Sequence, residues 1–136
     1  MPHVALVHGG EPCSAEALAL SLSAFLIGSG KYTYFACTDG WDVNSGWSPQ
    51  QRPKEYDRPL GAPLGPASRA VGARGAISYS RHFATGTFVT LELAAGAVTA
   101  SRGHGCIFWS DGSITGGEKC KHHKKHNDVV PVVTGR

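Results

Sequence analysis

"FACTDGWDVNSGWSPQQRPKEYDRPLGAPLGPA", residues 35–67, decides how the chain is read. Its first residues, FACT, close a strand-like run, and after them no helical or strand period appears. Five prolines (Pro49, Pro53, Pro59, Pro63 and Pro66) and two tryptophans fall inside it. Proline removes backbone freedom, so the stretch reads as an ordered loop rather than a floppy linker. The fold therefore depends on what lies on each side of this loop.

Upstream, Val4–Val7 is a short apolar run ended by His8-Gly9-Gly10, consistent with the end of a strand. Ser14 reads as an N-cap, with Glu16 in the first turn where the helix dipole favours an anion. Leu18, Leu22, Phe25 and Leu26 recur at helical spacing, and Gly28-Ser29-Gly30 ends the helix. Tyr32–Thr38, YTYFACT, is continuous, aromatic and β-branched, which suits a strand buried on both faces in a parallel sheet. Strand, helix and strand outline an α/β unit, and the quoted loop leaves from the C-terminal end of its second strand.

Downstream the character changes. AISYSRHF, TFVTLEL, AVTAS, CIFWS and SIT read as short strands, with Asp111-Gly112 a tight-turn pair between the last two. They predict an antiparallel meander of three to five strands. From Gly116 onward, residues 116–136 show no period and are expected to form a flexible His/Lys-rich tail after a body spanning 1–115.

Composition sets bounds on this reading. Hydrophobic residues make up 41% and charged residues 17%, a globular balance, and 18 glycines favour turns over long helices. The chain of 136 residues suits one modest domain. The formal charge of +3 comes mostly from the tail, so no nucleic-acid face is expected. No apolar run approaches the roughly eighteen residues of a membrane span. No charged segment followed by an apolar core opens the chain, so neither membrane nor export signal is expected. Cys13, Cys37, Cys106 and Cys120 are scattered without a CxxC, which argues against a zinc ribbon. Buried free thiols are the expectation, with a Cys106–Cys120 disulfide as one alternative pairing. His122, His123 and His126 in a lysine-flanked terminal tract suit adventitious metal binding, so no metal or other cofactor is assigned.

The loop carries the chemistry. Trp41, Trp47 and Tyr56 alternate with Asp39, Asp42, Glu55 and Asp57. Sugar rings rest apolar C–H faces on aromatic rings and offer hydroxyl rims to carboxylates, so an aromatic-plus-acid loop is what carbohydrate contact needs. The plainer reading has the tryptophans covering the core and the acids solvated. Two carboxylates can serve as acid and as nucleophile or base at a glycosidic bond, with their separation fixing the stereochemistry. Ser80-Arg81-His82 lacks a nucleophile-elbow pattern, and no phosphate loop is present.

The helix ending in FLIGSG, the strand KYTYFAC, the Trp41/Trp47 pair, EYDRPLGAPLGPA and YSRHFATGTFVTLEL together resemble the C-terminal part of a group of poorly characterised glycoside hydrolases. The resemblance covers residues 14–93, and EYDRPLGAPLGPA is its most specific element. It implies a TIM barrel whose acidic, proline-bearing loop follows a late strand and precedes a β-hairpin. A complete barrel takes about 250 residues, so the chain is expected to be the end of one, followed by the meander. Asp57 and Glu55 are then the candidate catalytic acids. Trp41, Trp47, Tyr56, Asp39 and Asp42 are the candidate contacts to a carbohydrate substrate. Weak or no hydrolysis of O-glycosyl bonds is expected from the chain alone. The alternatives are a non-catalytic, β-rich binding or interaction module and a structural remnant without function.

Overall fold

β1 (Leu6–His8), α1 (Ala15–Gly28) and β2 (Tyr34–Ala36) form a strand–helix–strand unit. The two strands pair in parallel, Leu6 opposite Tyr34 and His8 opposite Ala36, as a helical crossover requires. The computed structural model describes residues 6–8, 15–31, 33–36, 53–96 and 103–127. Leu18, Ala19, Leu22, Ser23 and Leu26 make the buried stripe of α1, the period seen in the sequence. β2 is shorter than the run that suggested it, and Tyr34 is 63% exposed rather than covered on both faces. Among the described residues β2 pairs only with β1, and one of its faces is covered, with Phe35 packed on the core, while Tyr34 is left open.

The second half is a five-stranded antiparallel meander. A 3-10 turn at Lys54–Asp57 leads to β3 (Ser68–Val71), β4 (Ile77–His82), β5 (Phe88–Leu93), β6 (Gly103–Phe108) and β7 (Ile114–Thr115). The strands lie side by side in chain order. The expected strand at AVTAS falls outside the described residues, and β6 begins ahead of CIFWS, at Gly103. β3 was not foreshadowed: its four residues are all exposed, so no burial alternation marks it.

One face of the sheet receives α1. Val89, Leu91 and Ile107 alternate inward and are 0 to 5% exposed. With Phe83, Trp109, Leu18, Leu22 and Leu26 they form the core. Burying side chains of this size stabilises the fold by roughly 1.5–3 kcal/mol each before entropy is counted. Gly105 lets the helix approach closely. A Cβ there would collide with the Ser23 side chain and lie 2.7 Å from the Ala19 carbonyl oxygen. On the opposite face His82 stacks on Phe88 at 4.4 Å between ring centroids, and Phe88 on Phe108 at 6.0 Å. Cross-strand partners Glu92 and His104 meet there at 3.1 Å.

The later part of the long loop is ordered by the β4–β5 hairpin. Ala84 N–H donates to the Ala62 carbonyl at 2.8 Å, Leu64 N–H to His82 at 2.9 Å, and the Thr85 hydroxyl to Leu60 at 2.7 Å. Gly61 has φ +71°, and a Cβ would sit 3.1 Å from the Ala84 methyl, so the PLGAPLG run needs glycine at this contact. Arg81 ties the same loop to α1. Its Nε donates to the Gly65 carbonyl at 3.0 Å, and Nη1 reaches the Leu26 and Ser29 carbonyls at 3.0 and 2.7 Å. A cation among the last carbonyls of a helix suits the helix dipole.

Two expectations change at the C-terminal end. Residues read as an aperiodic tail form α2 (Glu118–Asn127) over ten residues. Cys106 and Cys120 are joined in a disulfide, not buried as free thiols. The physical reason is the sharp turn at Gly116, φ +144°, which brings the first turn of α2 back onto β6. A Cβ at Gly116 would overlap the Cys120 sulfur, so only glycine permits this approach.

Candidate functional site

The 3-10 turn distributes the acid-bearing segment in three directions. With three residues per turn, consecutive side chains leave about 120° apart. Glu55 points to β7, where the Thr115 hydroxyl donates to its Oε1 at 3.3 Å. That hydroxyl in turn accepts from Trp109 Nε1 at 2.8 Å. Tyr56 presents its ring edge-on to Phe35 at 5.9 Å, and Phe35 packs on Phe25 at 5.3 Å. Asp57 is exposed and lines a hollow.

The hollow, about 370 Å³, is formed where the turn meets the β6–β7 connection. Lys54, Asp57, Arg58 and Pro59 come from the loop, and Trp109, Ser110 and Asp111 from the connection. Such a volume is within the usual range for a small-ligand site. Arg58 fastens the two sides. Its Nη1 donates to Asp111 Oδ2 at 2.7 Å, and its guanidinium carbon lies 5.2 Å from the Trp109 ring centroid. Arg58 Nε is buried without a hydrogen-bond partner, and the cation–π contact is the interaction that accompanies its burial. Trp109 is 6% exposed, so it forms the base beneath Arg58.

Asp111 is held ionised. The Ser113 hydroxyl and amide donate to its Oδ1 at 2.5 and 2.9 Å, and with Arg58 they lower its carboxyl to about 2. The same bonds, with Gly112 at φ +86°, close the tight turn expected at Asp111-Gly112.

Of the residues singled out from the sequence, Glu55, Tyr56 and Asp57 are described, and only Asp57 lines the hollow. Trp41, Trp47, Asp39 and Asp42 lie outside the described residues. Arg58 and Trp109 were not singled out, and Asp111 only as a turn residue. Arg58 and Asp111 stand 53 residues apart in the chain, and neither stretch signals the other. Among the described residues no group of three or more His, Cys, Asp or Glu side chains is placed to hold a metal ion. No described helix is long and apolar enough to cross a membrane.

The model of hypothetical glycosyl hydrolase family 15 matches residues 10–87, more than half of the chain. The chain belongs to that family. Membership in this glycosyl hydrolase family supports a carbohydrate-related function. The family match takes in α1, β2, the long loop with its 3-10 turn, β3 and β4. The hollow straddles its limit: Lys54–Pro59 lie within the matched range and Trp109–Asp111 beyond it. No curated protein and no solved structure matches the chain.

Proposed function

We propose that the chain is a carbohydrate-active protein of glycoside hydrolase type and that the hollow beside Lys54–Asp57 contacts the sugar. The observation that supports this reading is the presence of four charged side chains, with Trp109, along one open hollow. Asp57 and Asp111 are acceptors for sugar hydroxyls, and Lys54 and Arg58 are donors. Trp41, Trp47, Asp39 and Asp42, from the same loop, would extend the contact. Tyr56 would serve it by anchoring the turn to Phe35.

For hydrolysis of an O-glycosyl bond, Asp57 is the carboxylate assigned to the substrate and Glu55 the second acid. The Thr115 bond supports a role for Glu55 on the inner side of the turn. Two acids diverging in this way do not flank one glycosidic bond, so weak or no hydrolysis is expected from this chain alone. We further assign β1–α1–β2 to a TIM barrel as one of its βα units, with other units supplying the remaining wall of the cleft.

The test is glycan-array binding of the chain beside Asp57→Asn, Trp41→Ala and Trp47→Ala, each checked for parental circular dichroism. Binding should fall about tenfold on loss of one hydrogen-bonded or stacked contact. Equal binding by parent and all three variants would remove the sugar-contact reading. A second reading, a β-rich interaction module, is favoured by the exposure of Leu64 (71%) and of Val71 (61%) on edge strand β3. Saturable protein binding that free sugars leave unchanged would select it.

A further inference from the structure

α2 concentrates the charge of the whole chain. By composition this one helix holds four lysines, Lys119, Lys121, Lys124 and Lys125, and a single acid, Glu118. Their surplus of three equals the formal net charge of the entire chain, +3, so everything outside α2 sums to neutrality. Lys119, Lys121 and His122 are exposed, and Lys121 donates to Glu118 at 2.6 Å between two exposed side chains. An ion pair so exposed is weak and yields readily to a competing anion.

The helix is also held in place. Cys120, 1% exposed, joins it to Cys106 in the middle of the sheet, and Cys120 N–H donates to the Gly117 carbonyl at 3.0 Å in its first turn. A polybasic segment on a free tail would lose conformational entropy on every encounter. One already helical and bonded to the body loses less. The composition of α2 gives it no apolar face to insert among lipid chains, since Cys120 is its one apolar residue and is already buried.

We propose that α2 is a docking surface for a polyanionic polysaccharide, a chain bearing carboxylate or sulfate groups at regular spacing. Charge complementarity argues for a linear polyanion. The family's carbohydrate-related function argues for a polysaccharide among linear polyanions, and to that extent the inference rests on the reading above. α2 binds the charged chain by its own charges, independently of the hollow.

The test measures binding of the intact chain, without an added histidine tag, to polygalacturonate, heparin and neutral dextran over a salt series. The variant carries Lys119→Gln, Lys121→Gln, Lys124→Gln and Lys125→Gln together, and circular dichroism confirms that it folds. Parent affinity for polygalacturonate or heparin should fall linearly with log salt, and the variant should lose about tenfold or more with a flatter slope. Which of the two polyanions binds distinguishes carboxylate from sulfate recognition. Dextran bound as tightly as either, or unchanged affinity in the folded variant, would overturn the proposal. So would tighter binding, at the same salt, to duplex DNA or to vesicles rich in phosphatidylserine. Asp57→Asn separates the two readings, because it weakens neutral-glycan binding at the hollow and leaves the salt-dependent binding to α2 in place.

Discussion

Asp111 shows how a single side chain can fix a turn and one wall of a cavity together. The Ser113 hydroxyl and amide are the main reasons its carboxyl is lowered from 3.8 to about 2, with Arg58 adding to them. A carboxyl whose folded value lies below its unfolded value stabilises the fold above the unfolded value and loses that contribution as pH falls through the folded one. Thermal melts of the parent and of Asp111→Asn should therefore differ most near neutral pH and converge between about pH 4 and pH 2. Because Ser113 contributes more than Arg58, moderate salt should leave most of the difference intact. A gap that persists unchanged at pH 2, or vanishes in salt at pH 7, contradicts this account.

At the scale of elements, legibility followed burial. α1 was readable because Leu18, Leu22 and Leu26 face one core and glycine closes the helix. β4 and β5 were readable from their aromatic and β-branched content. β3 was not, since Ser68–Val71 buries nothing, and α2 was not, since among its described side chains Cys120 alone is buried. The start of β6 was hidden for a different reason: Gly103 and Gly105 carry no side chain, and Gly105 is there for the approach of α1. The candidate site was half legible. Asp57 was within the loop that the sequence brought forward, whereas Trp109 and Asp111 reach it only through the meander. Arg81 carries the strongest prediction at this scale. It joins the end of α1 to the Gly65 loop, so Arg81→Met should cost about 1.5–3 kcal/mol in urea unfolding, as expected for charged hydrogen bonds left unmade. Arg81→Lys should recover only part of this, because an ammonium lacks the planar fork. Full recovery by lysine would mean that charge alone, and not the divided reach of the guanidinium, secures the helix.

For the whole molecule, the disulfide is the one covalent link that the described residues add between the sheet and α2. The two cysteines are 14 residues apart, and closing a loop of that size removes about 3 kcal/mol of unfolded-state freedom. The paired variant Cys106→Ser, Cys120→Ser should melt lower by a corresponding amount. The parent treated with dithiothreitol should shift to match it. An unchanged midpoint in both would show that packing around Trp109 and Ile107 secures this end of the sheet without the link.

The order β3-β4-β5-β6-β7 is also the order of synthesis. Each strand finds its neighbour by closing a short stretch of chain, as from His82 to Phe88 or from Phe108 to Ile114. Small closures carry little entropic penalty, and low contact order goes with rapid assembly. α1 is different, since its partners on β5 and β6 arrive some sixty to ninety residues later in the chain. A nascent chain thus holds a greasy helix without its full cover until the last quarter begins to emerge, and that interval is when the protein is most exposed to misassociation.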